Sequence, residues 1–140
     1  RRQGARVRLR LARPAPVVQA DRDAVIQALT NLVDNALKYS ADDKTLLIET
    51  RRTAGVAAIA VADRGVGIAP EERARVFEPF FRSADPAIRT RAGAGLGLAL
   101  VRHIMAAHNG RVEVNSRPGR GSRFTLFFPK EEVHGPDPDR

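Results

Sequence analysis

The apolar positions of the chain change period repeatedly, and each change marks an element. Early on, Val7, Leu9 and Leu11 alternate with Arg6, Arg8 and Arg10, which predicts a half-buried strand. Pro14 and Pro16 interrupt it before a short extended piece at Val17 and Val18. From Asp21 to Ser40 the period becomes helical, and Val25, Leu29, Leu32, Val33, Ala36 and Leu37 fall on one broad arc. Gln27, Asn31, Asn35 and Lys38 form a stripe on the opposite side. Asp21 is a good N-cap for this helix, and Asp23 suits the positive end of its dipole.

After a polar turn at residues 41–43, residues 45–52 and 55–62 read as two strands joined by a short connection, an antiparallel hairpin. Residues 71–77 predict a short helix, and the three phenylalanines around Pro79 predict a cluster that is mostly core. Between 83 and 94 the apolar periodicity is lost. A polar stretch carrying Arg82, Arg89 and Arg91 is either a lid over phosphates or a solvated loop. A second helix runs from the glycines at 93–97 to about His108, where Asn109-Gly110 ends it. Residues 111–116 and 122–128 form a second hairpin around Pro118-Gly119, and residues 130–140 read as a disordered tail.

At 140 residues, 43% hydrophobic and 29% charged, the chain is expected to be one soluble domain, residues 1–129, with a core of its own. With no cysteine there is no disulfide, thiolate zinc site or cysteine nucleophile, and the three histidines form no His-Glu-x-x-His pattern. No apolar run approaches a membrane span and no signal core follows the charged start, so a cytoplasmic location is expected. The net charge of +8 comes from arginines spread along the chain and admits several polyanionic partners. Only 5% of residues are aromatic and none alternate with basic residues, which argues against nucleic acid.

The polar stripe of the first helix offers two carboxamides one turn apart, then an ammonium. An amide oxygen can ligate a hard cation without adding negative charge beside a phosphate chain, and lysine supplies the compensating charge. A merely solvated helix face has the same composition. Asp63, at the end of a predicted strand and followed by Gly65 and Gly67, can accept the exocyclic amino group of adenine and would repel the oxygen of guanine. A tight turn needs no ligand to explain it. The run Gly93-Ala94-Gly95-Leu96-Gly97-Leu98 lacks dinucleotide-fingerprint spacing, yet it exposes N–H groups at a helix start, where an anion binds or where glycines allow close packing.

In sequence order, Asn31-x-x-x-Asn35 with Lys38-Tyr39, Asp63-x-Gly65-x-Gly67, Phe77-Glu78-Pro79-Phe80, Gly93-x-Gly95-x-Gly97-Leu98 and Gly121-Ser122-x-Phe124 resemble the N, G1, F, G2 and G3 boxes of sensor histidine kinases. The resemblance spans about residues 6–129. It implies an α+β, two-layer α/β sandwich of the Bergerat type, shared with DNA gyrase B, Hsp90 and MutL. A mixed, mostly antiparallel sheet would be covered on one face by helices, with ATP between helices and lid. On the same resemblance Asn35 would be the Mg2+ ligand, Asn31 and Lys38 would meet the phosphates, and Tyr39 would line the adenine side. Asp63 would take the adenine amino group, Gly65, Gly67 and Ile68 would form the base wall, and Phe80 and Arg82 would follow from the F box. Gly93, Gly95, Leu96, Gly97 and Leu98 would turn the chain at the triphosphate. Ser122 stands where related ATPases have a threonine that reaches the adenine aspartate through water.

The hydrolases of that group place a glutamate one turn before the magnesium asparagine to activate water, and here that position is Asn31. An amide is no general base, so the resemblance favours a kinase over an ATP hydrolase. None of His103, His108 and His134 is followed by the acidic residue typical of the phosphoacceptor. The acceptor histidine is therefore expected on a separate dimerisation domain, with a response regulator as the onward partner. The abrupt charged start leads to the expectation that N-terminal sensor and helical domains precede this chain. The fragment itself would be monomeric, and its parent a homodimer that can be anchored in the inner membrane. A nucleotide-dependent interaction module, anti-sigma-like or an inactive kinase, is the non-enzyme alternative.

Overall fold

The computed structural model describes residues 4–40, 43–53, 55–81 and 96–129. Its strands are β1 (Arg6–Arg10), β2 (Thr45–Thr53), β3 (Val56–Ala62), β4 (Arg111–Arg117) and β5 (Gly121–Pro129), and its helices are α1 (Arg22–Tyr39) and α2 (Gly97–Ala107). The strands form one sheet in the order β1-β2-β3-β5-β4. β1 lies parallel to β2 across the α1 crossover, while β2–β3, β3–β5 and β4–β5 are antiparallel. Both helices lie on one face, which is the expected two-layer sandwich.

Each element starts and stops for a local reason. Asp21 caps α1, its Oδ1 accepting the N–H groups of Asp23 at 3.0 Å and Ala24 at 3.2 Å. α2 ends in a Schellman arrangement, with Gly110 N–H donating to the Met105 carbonyl and Asn109 N–H to that of Ala106. The left-handed residue there is Asn109, with φ of 57°, and not the glycine after it. Between the layers, Ala28, Leu32 and Ala36 of α1 and Val101, Ile104 and Met105 of α2 meet Leu46, Val61, Phe124, Leu126 and Phe128 from the inner face of the sheet.

Three sequence expectations change. The first strand is not half-buried: all its residues are exposed, and Val7, Leu9 and Leu11 remain 53%, 63% and 54% accessible. Val7 and Leu9 pair with Leu46 and Ile48 and so sit on the inner face. However, β1 is the outermost strand and the two described helices stop short of it. The helix expected at residues 71–77 is a single 3₁₀ turn, Pro70–Glu72, continued by isolated turn bonds at Arg75, Glu78 and Phe81. Pro79 disfavours helical backbone at the residue before it, and nothing in so short a run outweighs that. Finally, only Phe77 of the phenylalanine cluster is core, packing edge-on against Phe124 at 6.0 Å. Phe80 is 69% exposed with a left-handed φ of 64°, and Phe81 stacks under the Arg75 guanidinium at 4.8 Å.

On the outer face, β3 presents Ala58, Ala60 and Ala62. Long side chains of neighbouring strands lie over them. Glu49 of β2 reaches Arg123 of β5 and, at 3.5 Å, Arg10 of β1. Arg111 lies 4.1 Å from the centre of the Phe127 ring. Burial of Ala58 and Ala60 therefore comes from the stems of charged residues.

Candidate functional site

The loop that follows β3 is fastened to the protein on three sides. Its first tie is Asp63, whose N–H donates to the Ser122 carbonyl at 2.8 Å. The Asp63 Oδ1 accepts the N–H groups of Gly65 at 2.8 Å and Ser122 at 3.2 Å. Both bonds fall on one oxygen, so among the described residues the other keeps its lone pairs for a donor. Burial pushes the carboxyl above its ordinary range, against the opposing pull of those two N–H groups, and leaves Asp63 only 8% exposed.

The second tie runs to the end of α1. Val66 N–H donates to the Tyr39 carbonyl at 3.1 Å, and Ser40 and Gly65 form a β-bridge. A Cβ on Gly65 would stand 2.0 Å from the Tyr39 oxygen. The third tie runs to the β4–β5 turn, where Gly119 N–H donates to the Val66 carbonyl at 2.8 Å. Gly67 has φ of +75°, and a Cβ there would stand 2.0 Å from the Arg117 carbonyl oxygen. The glycines thus let the loop approach neighbouring backbone, and this alone demands them.

Ser116 is the residue the sequence reading missed. Its hydroxyl accepts the Ile68 N–H at 2.7 Å, donates to the Gly121 carbonyl at 3.0 Å and lies 2.8 Å from the Ser122 hydroxyl. Ser116 and Ser122 pair across the hairpin on its inner face, at positions where the alternation of Val112, Val114, Phe124 and Leu126 calls for apolar side chains. Two serines at inward positions flanking a turn are the signal that was available. The Ser122 side chain meets Ser116, and it is the Ser122 main chain that holds Asp63.

Along α1 the polar stripe runs away from this loop toward α2. Tyr39 is half-buried at the Asp63 end and Lys38 is exposed. Asn35 is half-buried, and among the described residues its amide has no hydrogen-bond partner. Asn31 reaches the start of α2, its Nδ2 lying 3.5 Å from the Gly97 carbonyl. At 1.5 Å per residue, Asn31 to Tyr39 spans about 12 Å, which separates a base-sized end from a phosphate-sized end. Exposed Leu96 occupies the N-cap of α2 and supplies no side-chain acceptor, and the first turn holds no acidic residue. The Asn31 amide thus lies beside the start of α2, whose leading N–H groups supply the electrostatics an anion requires. Leu98 and Ile68 pack at the margin of the core. Arg82, Arg89, Arg91, Gly93 and Gly95 lie outside the described residues.

A buried carboxylate at one end of a helical amide stripe and, at the other, a helix start with no side-chain cap among the described residues suit a purine nucleotide. Residues 20–132 match the family model described as histidine kinase-, DNA gyrase B-, and HSP90-like ATPase. The chain belongs to that ATPase family. Within the family its likeness is to sensor kinases. It is 48% identical over 112 residues to the sensor-like histidine kinase SenX3 of Mycobacterium tuberculosis, covering 80% of this chain and 27% of SenX3. The mycobacterial sensor histidine kinase MprB superposes with a TM-score of 0.78 at 28% identity, over 92% of this chain and 84% of that one. Full-length ShkA, solved in complex with AMPPNP, gives a TM-score of 0.78 at 33% identity, over 96% of this chain and 27% of ShkA. The chain thus spans about a quarter of the length of the kinases SenX3 and ShkA, and corresponds to the catalytic ATP-binding domain of sensor histidine kinases. Among the described residues, no helix of this family member is long and apolar enough to cross a membrane.

Proposed function

We propose that residues 1–129 bind ATP with Mg2+ and hand its γ-phosphoryl group to a histidine on a helical dimerisation domain, for relay to a response regulator. The observation that carries this reading is Asp63: a buried carboxylate with one oxygen accepting two N–H groups and the other, among the described residues, left for a donor, the complement of an adenine amino group. Tyr39 and the loop from Gly65 to Ile68 flank the base, and Ser122 stands beside Asp63. Asn31, Lys38 and the start of α2 at Leu96, Gly97 and Leu98 meet the phosphates.

The amide of half-buried Asn35, which has no hydrogen-bond partner among the described residues, fits a hard cation, whose remaining ligands would be phosphate oxygens and water. Bound there, the cation would offset charge on the β- and γ-phosphates. The protein's own contribution is positional. It holds the base at Asp63 and neutralises the phosphate chain with Lys38, while the nucleophilic imidazole arrives from outside. Asn31 can hydrogen-bond a phosphate oxygen but cannot take a proton from water, which supports transfer over hydrolysis.

Calorimetric titration with ATP, ADP and GTP, with and without magnesium, tests the pocket. Adenine-selective binding is expected, strengthened by magnesium for ATP and weakened in Asp63→Asn. Radiolabel transfer from bound ATP to a supplied histidine domain then tests the kinase step. A folded chain that binds no adenine nucleotide would overturn the proposal and leave an interaction module in its place.

A further inference from the structure

The hydroxyls of Ser116 and Ser122 form a hydrogen-bond pattern with only one consistent proton arrangement. A hydroxyl has one proton and two lone pairs. The Gly121 carbonyl can only accept, so the Ser116 proton goes to it, across 3.0 Å. The Ile68 N–H can only donate, so it takes one Ser116 lone pair, across 2.7 Å. What Ser116 has left for Ser122 Oγ, 2.8 Å away, is its second lone pair. The Ser122 proton must therefore point at Ser116, and Ser122 Oγ keeps lone pairs alone for any other partner. Ser116 is 7% exposed and Ser122 8%, so little water competes for these bonds.

We propose that Ser116 is a specificity-determining positioning residue: by taking the Ser122 proton it fixes the Ser122 hydroxyl as an acceptor beside Asp63. This deepens the adenine-nucleotide reading above and rests on it. An unrestrained serine hydroxyl rotates to suit its partner, so it accepts from an amino group or donates to an oxo group with equal ease. Held by Ser116, it has only the first option. Ser122 is anchored to Asp63 through two main-chain bonds, at 3.2 Å and 2.8 Å. The site then presents acceptors only, from the carboxylate and from the hydroxyl. A purine with an amino group at C6, or a water that must donate in both directions, is accepted. One with an oxo group there sets its oxygen against acceptors at that position.

The probes are ADP and IDP: in IDP an oxo group replaces the amino group at C6 and N1 carries a hydrogen. Their dissociation constants are measured by calorimetry on the wild-type chain, Ser116→Ala and Ser116→Thr, with folding checked by circular dichroism. The wild type prefers ADP. In Ser116→Ala the freed Ser122 hydroxyl can donate, and the ADP-over-IDP preference falls about fivefold, the effect of one hydrogen bond. Ser116→Thr keeps the hydroxyl and keeps the preference. Equal weakening of both nucleotides in Ser116→Ala, with their ratio intact, would show a structural role only and overturn the proposal. If Ser116→Ala does not fold, Ser122→Ala decides: an unchanged ratio there removes the Ser122 hydroxyl from recognition and ends the proposal. A wild-type chain without preference for ADP instead defeats the adenine reading itself.

Discussion

The imidazole of His108, just past the end of α2, accepts the main-chain N–H of Asp21 at the start of α1, with Nε2 2.9 Å from that nitrogen. Its other nitrogen lies 2.8 Å from the Ile104 carbonyl, which requires the proton on Nδ1 and leaves Nε2 free to accept. The ring also packs edge-on against Phe128 at 6.4 Å. One side chain thus ties the first turn of α1 to the last turn of α2, and so fixes how the two helices that border the proposed nucleotide site lie against each other. His108→Ala should cost about 2 kcal/mol, one hydrogen bond plus one aromatic contact, read as a shift in the urea midpoint without a change in slope.

Asp63→Asn should separate stability from binding. Burial raises the carboxyl's pKa in the folded chain, so its contribution is favourable below the ordinary value of 3.8 and is lost as pH rises through the raised value. Asparagine keeps an oxygen for Gly65 and Ser122 N–H groups and carries no charge to bury. The variant should therefore match or exceed wild-type stability at neutral pH, with the advantage fading toward pH 3.8 and below. Adenine-nucleotide affinity should fall about 10- to 100-fold, as expected for one charge-assisted hydrogen bond. Chemical denaturation across pH, beside calorimetry, measures both.

Glu49 has the opposite sign. The Arg123 guanidinium, with Arg10 and Arg51 nearby, holds its carboxyl below the usual value of 4.5 despite partial burial. Its stabilisation is complete above 4.5 and disappears as pH falls through the lowered value. Glu49→Gln should lose about 1–2 kcal/mol at pH 7, and the wild type and variant should converge in acid. A difference that persists at low pH would show packing and not charge at work.

Gly67→Ala should be among the most damaging single-atom additions to the loop. The left-handed φ is strained for alanine, and its methyl would meet the Arg117 carbonyl at 2.0 Å. A loss of about 2–3 kcal/mol is expected. Nucleotide binding should weaken with it, because the loop that carries Gly65 and Ile68 must leave the β4–β5 turn. Gly119→Ala, with the same sign of φ but open space around it, should cost about 1 kcal/mol and spare binding.

The frame of the domain was legible wherever period and punctuation agreed. Asp21 before a helical arc gave α1, and the alternation on either side of Pro118-Gly119 gave β4 and β5. Asp63 was legible because a carboxylate at a strand end followed by two glycines narrows the geometry. Other features depend on what lies across from them. Alternation in Val7, Leu9 and Leu11 announces an inner face but cannot say whether a helix reaches it. Phenylalanines read as core until the backbone at Phe80 turns left-handed and carries the ring outward. Ser116 escaped notice because its part is played between strands: its partners are five to 48 residues distant in sequence and meet only when β4, β5 and the Asp63 loop are assembled.

The exposed first strand carries one more implication. β1 is joined to the sheet by its ladder to β2, with added bonds from Arg6 N–H to the Lys44 carbonyl and from Ala12 N–H to the Thr50 hydroxyl. Its side chains bury little, whereas Asp63, Tyr39, Ser116 and Ser122 are linked to one another through α1, β3, β4 and β5. Hydrogen exchange should therefore divide the domain in two. Amides of β1 would exchange through a local opening far cheaper than global unfolding. Those of β3 and β5 would wait for the whole domain, so the first strand can detach and return while the proposed nucleotide pocket stays assembled.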